Sequence, residues 1–292
     1  MNKDIEYKFL TFLFSIIPIT MIIGQAVSLI NIIIISIFII IEIIKSKKFD
    51  FLKNISFILL TVIFLYLLFN TMISLDKGIS LIRNLGFLRF IFLFVAVNYF
   101  FYISKNQNLL FKIWVLVILV VIVDSFIQYI FGKNILGFGD EYGLRIVSFF
   151  KDEPIVGGYL LGFLFLTIGY LFQKIYGKSF IFKFITVLLI FVSISSIILT
   201  GERSNALRCI LGFTFFFLIN QNISIKNKII SIFLIILCFF TAILSSDYLK
   251  VRYGKQLFSN FFDANKRAEF VEGDLYIKLY KSGYAVLKDY PY

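Results

Sequence analysis

Three groups of ionisable and polar residues could carry chemistry in a chain that is otherwise apolar. The first runs from Arg145 through Ser148, Lys151, Asp152, Glu153 and Pro154 to Gly157, Gly158 and Tyr159. The second is Thr200-Gly201-Glu202-Arg203-Ser204-Asn205, a short turn between two apolar runs. The third lies within apolar runs: Arg89 in one, and Asp124 with Gln128 one helical turn apart in the next. Guanidinium and carboxylate groups recognise charge and transfer protons, and holding them in a membrane is costly without a use. Each group also has a plain structural reading. Pro154 suits the first turn of a helix, and Asp152 and Glu153 before it complement the helix N-terminus. Gly201 allows a sharp turn, and Ser204 or Asn205 can cap the helix that follows. Arg89 and Asp124 read as an ion pair between neighbouring helices as readily as a reactive pair. A turn needs polar residues, but not a Glu-Arg pair opposite a second Arg-bearing loop, so the second group points towards function.

What is missing bounds the chemistry. The chain has no histidine, which excludes His-dependent chemistry within it. Cys209 and Cys238 fall inside apolar runs, where they behave as small hydrophobes and indicate neither a disulfide framework nor a metal site. Lys112 and Lys183 lie near helix ends and can snorkel.

The elements that position these groups must be transmembrane. Of 292 residues, 60% are hydrophobic and 16% charged, against about a quarter charged in soluble domains, and the mean hydropathy is +0.94. A soluble interior of this size cannot hide so much Ile, Leu and Phe. The pattern predicts an all-α, polytopic transmembrane helix bundle of about nine spans, over 8–24, 26–44, 55–75, 85–103, 109–131, 154–173, 180–200, 204–220 and 228–246. The first two form a tight hairpin around Gly24-Gln25, and the N-terminus, lacking a small-residue cleavage pattern, reads as a retained signal anchor. Residues 1–246 form one helical domain. Residues 247–292 begin a second segment that is amphipathic and helical up to Asp289.

The net charge of +12 reads as a topology determinant rather than a nucleic-acid footprint, because the Lys residues sit in short connections between apolar runs. With the N-terminus inside, the cytoplasmic segments hold Lys3, Lys8, Lys45, Lys47, Lys48, Lys53, Lys105, Lys174, Lys178, Lys183, Lys226 and Lys228. The opposite connections mix Lys77, Arg83, Lys133, Arg145, Lys151 and Arg203 with Asp76, Asp140, Glu141, Asp152, Glu153 and Glu202.

The run R-I-V-S-F-F-K-D-E-P-I-V-G-G-Y-L from Arg145 to Leu160, followed by L-T-G-E-R-S-N-A from Leu199 to Ala206, resembles the bacterial O-antigen ligase and O-antigen polymerase family. The stretch Y-I-K-L-Y-K-S-G-Y-A-V-L-K-D-Y-P from Tyr276 to Pro291 is similar to the start of that family's large periplasmic loop. The resemblance covers residues 145–292 with motifs. It implies an inner-membrane glycosyltransferase, N-terminus cytoplasmic and active face periplasmic. Such an enzyme moves a glycan from undecaprenyl diphosphate to a hydroxyl of a glycan or lipid A-core acceptor, without metal or cofactor and with no nucleic-acid partner. It assigns Arg145 and Arg203 to a clamp on the diphosphate, whose developing negative charge is the main catalytic need. Glu153 and Glu202 orient an Arg or accept the acceptor's proton. Ser148, Lys151, Tyr159 and Tyr284 are further candidates for substrate contact. The family's Gly-x-Gly and functional His would follow Pro291, which leads to the expectation that the natural reading frame continues.

Two other classes compete. A flippase or exporter of lipid-linked oligosaccharide would spread charges through the midplane and show duplicated helix groups, and a structural or sensory subunit would show no external Arg pairing. The Lys asymmetry makes a direct prediction: in a background lacking Cys209 and Cys238, a cysteine at position 139 or 205 is labelled in intact cells and one at 47 is not. Labelling at 47 would reverse the orientation.

Overall fold

The computed structural model describes residues 3–47, 54–103, 107–139, 144–151, 153–175, 179–221, 223–258 and 275–289. Lys48, Lys53, Lys105, Lys178, Asp140, Glu141, Asp152 and the stretch 259–274 lie outside the described residues. Among the described residues the fold is all-helical. The helices are α1 (Lys3–Ser15), α2 (Ile17–Ile23), α3 (Gln25–Ser46), α4 (Ile55–Ile73), α5 (Lys77–Leu85), α6 (Leu88–Ile103) and α7 (Asn108–Phe131). After a short 3₁₀ turn (Ser148–Phe150) come α8 (Val156–Ile175), α9 (Phe180–Leu199), α10 (Arg203–Ile219) and α11 (Ile225–Leu244). A single turn, α12 (Asp247–Leu249), runs into a π-helical segment (Lys250–Phe258), and α13 (Leu275–Asp289) is the last helix among the described residues.

Among the described residues, 7 helices are long and apolar enough to cross a membrane, or up to 8 when the bent pair α1–α2 counts as one span. The expectation of about nine is thus lowered. The difference lies in α10, which has 17 residues and carries Arg203 and Arg208. Large apolar side chains remain exposed along α3, α4 and α11, such as Ile37 at 54%, Phe69 at 57% and Phe233 at 63%. A water-soluble surface does not tolerate that much contiguous apolar area, whereas lipid solvates it.

The chain divides into two compact units, Met1–Leu119 and Val120–Tyr292. In the first, Pro18 explains the break between α1 and α2, which are bent by 44°. Proline has no N–H to give to the carbonyl four residues back, and that carbonyl, on Phe14, instead accepts from the Trp114 indole at 3.1 Å. The neighbouring Leu13 carbonyl accepts from the Asn31 amide at 3.3 Å, so α3 folds back beside α1. Gly24, at φ 151°, is the joint that lets it do so, at the expected Gly24-Gln25 position. Phe100 is fully buried, stacked on Phe14 at 4.5 Å. Asn84 ties α5 to α4, donating to the Leu67 carbonyl and the Thr71 hydroxyl at 2.8 Å each. The stretch before Leu85, expected as a connection, is therefore a helix, opened by the Asp76 side chain accepting from the Ile79 N–H.

In the second unit α9 is central, packing on α8, α10 and α11, and Ile190, Ile194, Ile197 and Ile198 are fully buried along it. Phe165 and Phe213 bring α8 against α10, ring centroids 4.9 Å apart. The C-terminal ends of α7, α9 and α11 and the N-terminal ends of α8 and α10 meet at one end of this unit, where the loops are joined to one another.

Replacing Asn84 by Leu removes the polar tie between α4 and α5. Interhelical hydrogen bonds in membranes are worth roughly 0.6 to 1.7 kcal/mol, so a loss of about that size is expected for Asn84→Leu in a detergent unfolding titration. No loss would show that apolar packing alone holds the pair.

Candidate functional site

The loop end of the second unit is built on two residues of α7, Asp124 and Gln128, which share a helix face at i, i+4. Both are buried, at 0% and 4% exposure. The Gln128 carbonyl accepts from the backbone N–H of Val147 at 3.0 Å and of Ser148 at 2.7 Å, and its amide donates to the Arg145 carbonyl at 3.3 Å. Asp124 accepts from the Ser148 hydroxyl, the Asn134 amide and the Ile135 N–H. Asn134 closes the frame by donating to the Ser148 carbonyl at 2.6 Å and accepting from Leu136 and Phe138. Two segments of loop are thus laced to the last turns of α7. Gly139, at φ 135°, lies so close to Gln128 that a Cβ there would come within 2.6 Å of its amide nitrogen.

Asp124 and Arg89, read from the sequence as a pair, fall in different units, and each has partners in its own. The Asp124 carboxylate is occupied by Ser148, Asn134 and Ile135 from its own unit, and Arg89 lies over the Phe90 ring at 4.9 Å in the other.

The frame holds Arg145 half-buried at the wall of an open cleft of about 380 Å³. Gln128, Tyr129, Leu199, Ser245, Ser246 and Tyr248 also line it. The Tyr129 phenol bonds Ser245, at 2.8 Å to the hydroxyl and 3.2 Å to the carbonyl, which fastens the end of α11 to the end of α7.

The Thr200–Arg203 turn stands beside the cleft. Gly201 has φ 72°, the left-handed region that favours glycine, and a Cβ there would meet the Tyr248 hydroxyl at 3.0 Å. Glu202 does not face solvent with both oxygens free. One accepts from the Gly157 N–H at 2.7 Å, and the other from the Gly158 N–H at 3.2 Å and from the Asn205 amide. A carboxylate from one loop therefore caps the N-terminus of α8, 45 residues earlier in the chain. That revises the capping read from neighbours. Glu153 is exposed, α8 starts beyond Pro154 at Val156, and Asn205 serves Glu202 while Ser204 sits exposed inside the first turn of α10. Gly157 is needed for this, since a Cβ would lie 2.9 Å from the Glu202 carboxyl carbon.

Of the remaining candidates, Ser148 is fully buried and spends its hydroxyl on Asp124. Tyr159 is buried between Phe150 and Phe163, at centroid distances of 4.9 and 5.2 Å. Lys151 is exposed, 5.9 Å over the Phe138 ring, and Tyr284 is 70% exposed on α13. Arg203 opens α10 next to the cleft but is not among its lining residues.

Sequence reasoning marked residues 247–292 as a separate segment but missed Tyr248, Arg252 and Tyr253 within it. Tyr248 joins the cleft to the Gly201 turn, Arg252 donates from Nε to the Gly201 carbonyl at 3.1 Å, and the Tyr253 phenol donates to the Ile198 carbonyl at 3.0 Å. Burial pushes the Tyr253 phenol up, with Arg252 and Arg203 pulling it down and Glu202 and Tyr248 pushing it up. The only signal in the sequence was position: by the Lys-based topology Asp247 starts on the same side as Arg145 and Arg203.

Compared with family models, with curated proteins and with solved structures, the chain matches none.

Glu202→Ala leaves the first N–H groups of α8 without their acceptor. The expected cost is about 0.5 to 2 kcal/mol, the range of a lost N-cap, with faster amide exchange at Gly157 and Gly158. Glu202→Gln keeps an acceptor oxygen and falls between. Unchanged exchange in Glu202→Ala would remove the capping role.

Proposed function

We propose that the chain is an inner-membrane glycosyltransferase of the O-antigen ligase or polymerase type. In this reading it takes a glycan from undecaprenyl diphosphate and passes it to an acceptor hydroxyl, of a growing glycan or of a lipid A core, on the periplasmic face. The observation that supports it most is the presentation of Arg145. A buried, hydrogen-bonded frame holds its backbone, and Arg145 lines an open cleft that Tyr248, packed against the Gly201 turn, also lines.

The reaction needs little covalent participation from the protein. The acceptor oxygen forms a bond to the sugar's anomeric carbon, the bond from that carbon to the diphosphate oxygen breaks, and undecaprenyl diphosphate departs with the electron pair. Guanidinium groups fixed beforehand stabilise the charge that grows on the leaving oxygens. Glu202, whose oxygens already accept three hydrogen bonds, suits the role of holding the Arg203 turn against α8. The acceptor's proton passes to Glu153.

Removal of a preorganised charge-stabilising donor lowers turnover by roughly a hundred- to a thousandfold. Arg145→Ala should therefore abolish visible banding of surface polysaccharide in cells lacking their own enzyme, and Arg145→Lys should not restore it, because a lysine lacks the planar fork. Normal banding from Arg145→Ala would end the reading, and loss of lipid-linked glycan from the outer leaflet instead of loss of transfer would favour the flippase.

A further inference from the structure

Helix α13 has 15 residues, about 22 Å at 1.5 Å per residue, too short to cross a hydrocarbon core of about 30 Å. Three lysines along it also keep it out of that core. At about 100° per residue, Leu279, Tyr280, Tyr284, Val286 and Leu287 share an arc of roughly 160°, and Lys278, Lys281 and Lys288 share roughly 80° of the rest. Those five apolar side chains are 58% to 78% exposed, and no other described helix packs along α13. A contiguous apolar stripe of this kind marks a surface that something covers. Two features say what covers it. The lysines, against Asp289 alone, give the opposite side a positive charge that fits an anionic surface. The tyrosines lie on the edge of the apolar arc next to Lys281 and Lys288, where a ring can sit among acyl chains while its hydroxyl stays at headgroup level.

We propose that α13 lies flat on the bilayer surface, its Leu and Tyr arc sunk to the boundary between headgroups and acyl chains and its three lysines on anionic lipid headgroups. A helix with one charged face, one apolar face and low net hydrophobicity is held at the interface by apolar burial and by attraction to anionic lipid together. The tether favours this partner over a soluble one. The chain leaves the apolar α11 at Leu244 and enters α13 at Leu275, so the helix is kept close to one leaflet at a high effective concentration. That leaflet is on the side where α7 and α11 end and where Arg145 lines the cleft, since Tyr129 is bonded to Ser245 and both line it too. Lipid binding by α13 therefore holds the far end of the segment whose near end carries Tyr248, Arg252 and Tyr253. The partner is independent of which reaction the cleft supports.

The test uses the full chain, with Cys209→Ala and Cys238→Ala, in nanodiscs of phosphatidylcholine alone or of phosphatidylcholine mixed with phosphatidylglycerol. A nitroxide attached through Leu287→Cys or Ala285→Cys, on opposite sides of α13, is read by its collisions with oxygen, which concentrates in hydrocarbon, and with a nickel chelate, which stays in water. In the mixed membranes the label at position 287 should favour oxygen and the label at 285 the nickel chelate. Lys281→Gln should lower the ratio of immersed to free label at 287 roughly fivefold there, the effect of about one lysine near an anionic surface, with no such drop in phosphatidylcholine alone. High salt should mimic the substitution. A label at 287 shielded from both reagents would place the apolar arc against protein, in its own chain or a second copy, and overturn the proposal. So would both labels reporting water, or immersion unchanged by phosphatidylglycerol and by Lys281→Gln. The unmodified chain gives a second reading that needs no substitution: amide exchange across 277–289 should be slower in the mixed nanodiscs than in phosphatidylcholine, and equal exchange in the two would count as the same refutation.

Discussion

A carboxylate buried in an apolar helix must be met by donors, and Asp124 takes its donors from the polypeptide that follows its own helix. The requirement is strict because nothing in a hydrocarbon surrounding replaces a missing partner. Ser148, Asn134 and Ile135 meet it, and Gln128 one turn later does the same for the N–H groups of Val147 and Ser148. The loop then has little freedom left. Its backbone at Arg145 is fixed through the Gln128 amide, so the side chain that reaches the cleft starts from a rigid base. Preorganisation of this kind is what charge stabilisation requires, since donors that must reorient during a reaction lose most of their benefit.

The same constraint recurs wherever the helices are interrupted. Pro18 strips a donor from α1–α2, and the Phe14 carbonyl is satisfied by Trp114. The uncovered N–H groups of Gly157 and Gly158 are satisfied by Glu202. The carbonyls at the end of α9, on Ile198 and Gly201, are satisfied by Tyr253 and Arg252. In each case the group that completes one element comes from a distant one, so meeting the backbone's hydrogen-bonding need also fixes tertiary position. For the second unit the result is a ring of mutual supports: α7 holds the Arg145 loop, the α9–α10 turn caps α8, and the segment after α11 clasps that turn. A polar substitution in one support is felt at the others, because the members of a connected network do not contribute independently.

Glycine has a distinct part in this arrangement at two positions. Gly157 lets the Glu202 carboxylate reach the α8 N-terminus, and Gly201 provides both the left-handed turn and the space that the Tyr248 ring fills. Gly157 and Gly201 are thus close-approach positions between loops, and Glu202 beside the second owes its placement to those approaches.

The sequence by itself determined the solvent of this protein and most of its helices. Runs of Ile, Leu and Phe longer than a soluble core can hide, broken at Gly24, Gly132 and Gly201, set the all-α class, the joint at Gly24-Gln25 and the sharp turn at Gly201, because length, hydropathy and glycine placement are local properties. It also drew attention to Arg145, Glu202, Arg203, Asp124 and Gln128, since charge in an apolar chain stands out. Only the tertiary structure decided what those residues touch. Asp124 is met by its own following loop, Glu202 caps α8 in place of Glu153, Tyr159 packs between Phe150 and Phe163, and Arg252, unremarkable in its segment, shares a carbonyl with the backbone N–H of Arg203. The physical reason is that a hydrogen-bond donor or carboxylate can be satisfied by any group the fold brings within about 3 Å, and sequence neighbours are a small share of those.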